Sequence, residues 1–138
     1  MYPEQLVIPM KGELSSVGFK DLTTPQEVDA AIKDSKGTLL VVVNSVCGCA
    51  AGAARPGVKD AVNSSPKKPD LLTAVFAGFD TEATAQARKY FAPYPPSSPC
   101  VALFKDGKLV HFLERHHIEG KSAAMISDNL KMAFEEFC

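Results

Sequence analysis

Residues 38–44 read TLLVVVN, apolar at nearly every position and rich in branched side chains. A strand with one face in water alternates apolar and polar residues. A run without that alternation needs cover on both faces, as in a sheet with helices above and below it. A second run, LLTAVFAGF at 71–79, makes the same demand. Two such strands separated by a helix-forming segment confine the chain to an α/β architecture. The 138 residues suit a single domain spanning 1–138, long enough to bury roughly 65–70% of its unfolded surface without a staple.

The intervening segments carry their own punctuation. TTPQEVDAAIKDSKG (23–37) predicts a helix, with Thr24 as N-cap, Pro25 at the first helical position and Glu27 closing a capping box. Val28, Ala31 and Ile32 share its apolar face, and Gly37 ends it. AAGAARPGVKDAV (50–62) reads as helical by its alanines, with Pro56 kinking it or marking its first break. DTEATAQARKYF (80–91) is a helix capped by Asp80 or Thr81. APYPPSSPCVALF (92–104) is proline-dense before it turns into a strand, and KDGKLVHFLE (105–114) predicts a hairpin through Asp106-Gly107. GKSAAMISDNLKMAFEEF (120–137) closes with an amphipathic helix, where Ile126, Leu130, Ala133 and Phe137 follow helical spacing. The order helix–β–α–β–α–β–β–α predicts a sandwich with a mixed sheet, and right-handed crossovers restrict its topology further.

Charge excludes two classes of partner. Fifteen basic and sixteen acidic residues leave a net charge of −1, and the longest basic run is Lys67-Lys68. Neither nucleic acid nor an anionic membrane finds a basic surface here. No stretch approaches the ~20 apolar residues that span a bilayer. The opening MYPEQLVIPMKGE lacks a basic n-region, and LVIPM falls short of the ~7–15 apolar residues of a secretory signal. The expected location is the cytoplasm, where close cysteine pairs are more often catalytic or metal-binding than structural.

Such a pair stands at the end of the first apolar run, in VVVNSVCGCAAGAARPG (41–57), as Cys47 and Cys49. A disulfide between them closes a loop of three residues. The chain-entropy model assigns it only about 1.6 kcal/mol before strain, so it makes a poor staple. A metal clamp needs about two further ligands. Cys100, Cys138, His111, His116 and His117 are the candidates, but none adds a second close metal-type spacing. His116 and His117, read as neighbours on an extended segment, point in opposite directions. A redox role suits the surroundings better. A thiol where a strand hands over to a helix faces unpaired backbone N–H groups and the positive end of the helix dipole, both of which favour thiolate. Gly48 keeps a side chain away from the approach to the sulfurs, and the small residues AAGAA let the helix pack closely on the sheet.

The segments VVNSVCGCAAGAARPG, FAGFDTEATAQARKYF, PSSPCVALFKDGKLVHFLERHHIEG and LVIPMKGEL resemble the bacilliredoxin family, within the thioredoxin fold, over nearly the whole chain. The resemblance implies a thioredoxin-like three-layer sandwich. Its central mixed sheet has about four strands flanked by helices, with an extra N-terminal helical segment. It also implies a cytosolic thiol-disulfide oxidoreductase that removes bacillithiol, a low-molecular-weight thiol, from cysteines of other proteins. Cys47 is then the nucleophile and Cys49 the resolving thiol. Pro99 matches the cis-proline that faces the cysteines in thioredoxin folds, and Ser98 supplies backbone contacts to substrate. The CxC spacing departs by one residue from the thioredoxin CxxC. No metal or nucleotide cofactor is implied, only bacillithiol as a co-substrate and bacillithiolated proteins as partners.

Three rivals stay open on the residues alone. They are a general protein disulfide reductase or isomerase, a metal-binding protein using the CGC thiols, and an interaction module whose cysteines are incidental. Cys100 is either a buried cysteine at a strand start or a third thiol near the site. Cys138 is either mobile or packed beside the closing helix.

Overall fold

The computed structural model describes residues 2–138; Met1, the first residue of the N-terminal stretch quoted above, lies outside them. The sheet has five strands in the order β1-β3-β2-β4-β5, with β1 Lys20–Asp21, β2 Thr38–Asn44, β3 Leu71–Phe76, β4 Cys100–Lys105 and β5 Lys108–Leu113. The first three run parallel to one another, and β4 and β5 are antiparallel additions, so the sheet is mixed. The expectation of about four strands omits β1. Its two residues carry no readable pattern, and Lys20 and Asp21 pair with Thr73 and Ala74 only because the chain passes along the edge of β3.

All seven residues of β2 are buried, as a strand at the centre of a two-sided sheet requires. Leu40 and Val42 enter one apolar cluster with Val58, Ala61, Leu130 and Phe134. Leu39, Val41 and Val43 enter the other with Val28, Ile32, Ala83 and Ala87. Period-two alternation thus feeds two cores from one strand. The first cluster lies under α1 Glu4–Ser15, α3 Arg55–Ser64 and α6 Ala123–Phe137, and the second under α2 Pro25–Lys33 and α4 Thr81–Lys89. α1 is the N-terminal helical segment, anchored by buried Val7 and Leu14.

Local signals explain most element ends. The Thr24 hydroxyl accepts the Glu27 N–H at 3.1 Å. The Glu27 carboxylate reaches back to Thr23, accepting its N–H at 3.0 Å, so the box is closed one residue early. Asp80 sits at the start of α4 without a side-chain cap. Its carboxylate instead takes Lys11 Nζ of α1 at 2.6 Å, a long-range ion pair that outcompetes the cap. The β4–β5 turn has both Asp106 and Gly107 at positive φ (51° and 79°), the geometry that makes Asp-Gly a hairpin turn. No helix among the described residues is long and apolar enough to cross a membrane.

Candidate active site

Cys47 lies three residues beyond the end of β2. Its carbonyl accepts the N–H groups of Ala50 and Ala51 at 3.0 and 3.2 Å, opening the first helical turn. That turn widens into a π-helical segment, Ala50–Ala54, closed by Arg55 N–H donating to the Ala50 carbonyl. Pro56 is the physical cause. It has no N–H to return to the preceding turn, and its ring displaces the carbonyl four residues back, so the helix bulges there before α3 continues. The break expected at Pro56 therefore falls just ahead of it, directly behind the cysteines.

The two sulfurs are 2.6 Å apart. Both are free and half-buried, with Gly48 exposed between them. A Cβ on Gly48 meets no heavy atom within 4 Å, so protein packing does not demand the glycine; what stays clear is the solvent side of the motif. Partial burial, the largest single influence on Cys47, opposes ionisation. Hydrogen bonds from the Cys49 thiol, the Ser45 hydroxyl and the N–H groups of Ala50 and Cys49 together outweigh it and bring Cys47 down to about 7. Cys49 moves the other way. Burial raises it, as do its hydrogen bond to Cys47 and the Cys47 charge, while Arg115 offsets part of the rise. The environment thus favours the thiolate at Cys47 and the protonated thiol at Cys49.

A buried charge network that sequence patterns do not reveal holds this loop. Arg55 is only 2% exposed. Its Nε donates to Glu13 Oε2 at 3.0 Å, and its Nη1 donates to Asn44 Oδ1 at 2.9 Å and to the Ser45 carbonyl at 2.7 Å. Asn44 Nδ2 donates to the Met10 carbonyl, and Ser45 Oγ accepts the Cys47 N–H at 3.3 Å. α1 therefore grips the cysteine loop from behind through Arg55. The only hint in the sequence is a lone cation inside the small-residue run AAGAARPG.

The Ser98–Pro99 peptide is cis, as is Ala92–Pro93. Val43 pairs with Cys100, so Pro99 stands level with Asn44, at the same end of the sheet as the cysteine loop. Arg115 Nη1 donates to the Ser98 carbonyl at 3.2 Å, and its backbone N–H donates to Ser97 Oγ at 3.3 Å. Arg115 opens the short helix α5 Arg115–Ile118, which also carries His116 and His117. The extended segment expected for these histidines is therefore a helical turn, and their rings lie 4.0 Å apart rather than on opposite sides. Glu114, His116 and His117 each bring a donor atom within 4.8 Å of the others. Their own hydrogen bonds account for that proximity. Glu114 Oε2 pairs with His116 Nε2 at 3.0 Å, and His117 Nδ1 accepts the Glu114 N–H at 3.0 Å. With its Nδ1 lone pair engaged, the neutral His117 ring carries its proton on Nε2 and offers a donor there, not a metal ligand.

The remaining thiols are not gathered with the pair. Cys100 is buried on the α2/α4 side of the sheet, and burial pushes it up to about 12. Cys138 is exposed at the chain end. His111 lies on β5 with Nε2 2.7 Å from Asn129 Oδ1.

The sequence matches the family described as disulphide isomerase over residues 2–138. It is 61% identical to a protein named bacilliredoxin from Cytophaga hutchinsonii over 136 residues, covering 99% of each chain. It is 53% identical to a bacilliredoxin from Bacillus licheniformis, covering 99% of this chain and 95% of that one. Among solved structures, Fasciola hepatica thioredoxin superposes with a TM-score of 0.59 at 20% identity, covering 87% of this chain and 100% of that one. A thioredoxin from Halobacterium salinarum gives 0.57 at 20% identity over 85% and 88% of the two chains. These two likenesses establish the thioredoxin-like fold.

Proposed function

The chain belongs to the bacilliredoxin family and is a thiol-disulfide oxidoreductase, and from that premise we propose that it frees protein cysteines from mixed disulfides with bacillithiol or a similar small thiol. Cys47 is the nucleophile in this reading. Its thiolate attacks the small-thiol sulfur of the mixed disulfide, and the protein–small-thiol S–S bond breaks. The target leaves as a thiolate that takes up a proton, and Cys47 now carries the small thiol. Cys49, deprotonated, then attacks Cys47 Sγ and expels the small thiol, leaving a Cys47–Cys49 disulfide. A two-electron thiol reductant restores both cysteines. Alternatively, a second small thiol attacks the adduct and leaves as the small-molecule disulfide, regenerating the Cys47 thiolate. Gly48, Ser98 and Pro99 line the approach. Arg115 donates to the Ser98 carbonyl, and in this reading the Ser98 backbone contacts the substrate. The reaction uses a small thiol as co-substrate and needs no metal or nucleotide. A cysteine pair that must be re-reduced in each cycle suits the reducing cytoplasm.

The observation that carries this reading is the 2.6 Å separation of two half-buried, free sulfurs with opposite pKa displacements. The test is a turnover assay on one target protein bearing bacillithiol or glutathione mixed disulfides, run beside an intramolecular protein disulfide. Faster release of the small thiol, bacillithiol above glutathione, supports the proposal. Preference for the protein disulfide supports the rival that the family's description favours, a general disulfide isomerase. Zinc or iron bound stoichiometrically through both thiols, found by elemental analysis after anaerobic purification, favours a metal-binding role instead.

A further inference from the structure

α5, the end of β5 and the start of α6 enclose an open cleft of about 440 Å³. Lys121, His116, His117, Asn129 and His111 supply its polar lining, and no carboxylate lines it. Leu113 and Ile126 form part of its apolar floor and belong to the cluster against which Cys49 packs. The cleft and the resolving thiol thus share one layer of side chains. Arg115 does not itself line the cleft, but it is the chain neighbour of His116, which does, and its charge is felt by both sulfurs. It precedes His116 and His117 on the same turn, is bonded to the Ser98 carbonyl, and leaves 44% of its side chain exposed. We propose that Arg115 and the Lys121 side of this cleft form a recognition subsite for the carboxylate of an anionic small thiol, the non-protein half of the mixed disulfide.

The charges favour that occupant. Arg115 is held in the cationic state chiefly by Cys49, then by Cys47, and then by Glu119, so its field reaches both sulfurs. The Glu119 carboxylate is its nearest anion, at 3.5 Å from Nη2, and both partners are exposed. An exposed pair of this kind contributes little, so a ligand carboxylate can replace Glu119 at the guanidinium. Glu114 does not compete, because its carboxylate accepts the His117 N–H and bonds to His116. Lys121 adds a second cation and His117 Nε2 a neutral donor. A cationic adduct meets like charges in Arg115 and Lys121.

The inference rests on the small-thiol reading above, and its experiment has two arms that separate the two claims. In the first arm, 15N-labelled reduced protein is titrated with S-methyl mercaptosuccinate, a carboxylated thioether that cannot exchange, and with 2-(methylthio)ethanol, its neutral counterpart. Saturable shifts at Arg115 Nε–H and at the His117 and Lys121 amides are expected with the carboxylated ligand only, and their loss in Arg115→Gln. In the second arm, one target protein carries mercaptosuccinate, mercaptoethanol or cysteamine adducts, and kcat/KM is compared. The ratio of carboxylated to neutral substrate should fall about tenfold in Arg115→Gln, chiefly through KM, and less in Arg115→Lys and Lys121→Gln. Because it is a ratio, any general effect of Arg115 on the thiols cancels. Equal binding of both thioethers, binding of neither, or an unchanged ratio overturns the subsite. Selective binding without turnover of any adduct upholds the subsite and overturns the small-thiol reading.

Discussion

The guanidinium of Arg55 lies 2.7 Å from the Ser45 carbonyl oxygen, beneath the loop that carries Cys47. Ser45 in turn accepts the Cys47 N–H and helps stabilise the Cys47 thiolate. Replacing Arg55 by Met leaves the Ser45 carbonyl and Asn44 Oδ1 buried with a donor removed. The Ser45 carbonyl loses its donor, at a cost of roughly 1–3 kcal/mol, while Asn44 Oδ1 keeps the Ser45 N–H at 2.9 Å. Urea unfolding should show that loss. Thiolate absorbance at 240 nm should show Cys47 titrating above about 7. Arg55→Lys should recover part of both, because an ammonium reaches one acceptor but lacks the guanidinium's fork. An unchanged Cys47 titration in a folded Arg55→Met protein contradicts the link from α1 to the site.

Gly57 marks where α3 meets α6. A methyl group there would lie 2.7 Å from Ile126 Cβ and 2.9 Å from the Ala123 carbonyl oxygen. Neither neighbour is a flexible side-chain tip, so Gly57→Ala must push the helices apart. Overpacking of this kind costs roughly 1–3 kcal/mol. That exceeds the helix-propensity gain of ~1 kcal/mol from replacing a helical glycine. The expected result is a lower urea midpoint with an unchanged slope. A stabilised variant shows that the helices separate without loss.

Signals confined to a few neighbouring residues were legible in the sequence, and those that depend on distant partners were not. The burial of β2, the Asp106-Gly107 turn, the Thr24 cap and the break at Pro56 each follow from side chains within one turn or one strand. The five-residue span Ser45–Cys49 is legible through its cysteines for the same reason. The closure of the sheet by β1 depends on residues 73 and 74, and the diversion of Asp80 from its cap depends on Lys11. The Arg55 network joins positions 13, 44 and 55, which no periodicity connects. Arg115 carries no signal of its own in the sequence beside the adjacent histidines. Its contact with Ser98 appears only once the chain has folded back past Pro99.

Four hydrogen bonds hold the Cys47 thiolate, and removing one should move its titration in a known direction. The hydrogen bond from the Cys49 thiol opposes the effect of burial, so Cys49→Ala should raise Cys47 above about 7. The pH at which the rate of iodoacetamide alkylation reaches half its plateau reports the shift. The sign for stability follows. The folded value lies below the ordinary 9.0, so ionisation of Cys47 stabilises the native protein fully above pH 9 and loses that contribution as pH falls through about 7. In Cys49→Ala the window narrows from its lower side. A variant that titrates at or below the wild-type value removes the Cys49 thiol from the explanation.

The four cysteines should react in an order set by their surroundings. Cys47 carries the thiolate near neutral pH and is half-open to solvent, so it should take a limiting dose of alkylating agent first. Cys138 is exposed but raised by burial of its sulfur, so it follows more slowly. Cys100 is 1% exposed and pushed to about 12, so it should stay unlabelled until the protein is unfolded in urea. The same order predicts the trapped intermediate. Cys49→Ser cannot resolve an adduct, and mass spectrometry after incubation with a bacillithiolated target should find the small thiol on Cys47. An adduct confined to Cys138, or native-state labelling of Cys100 at the rate of Cys47, assigns the nucleophile elsewhere.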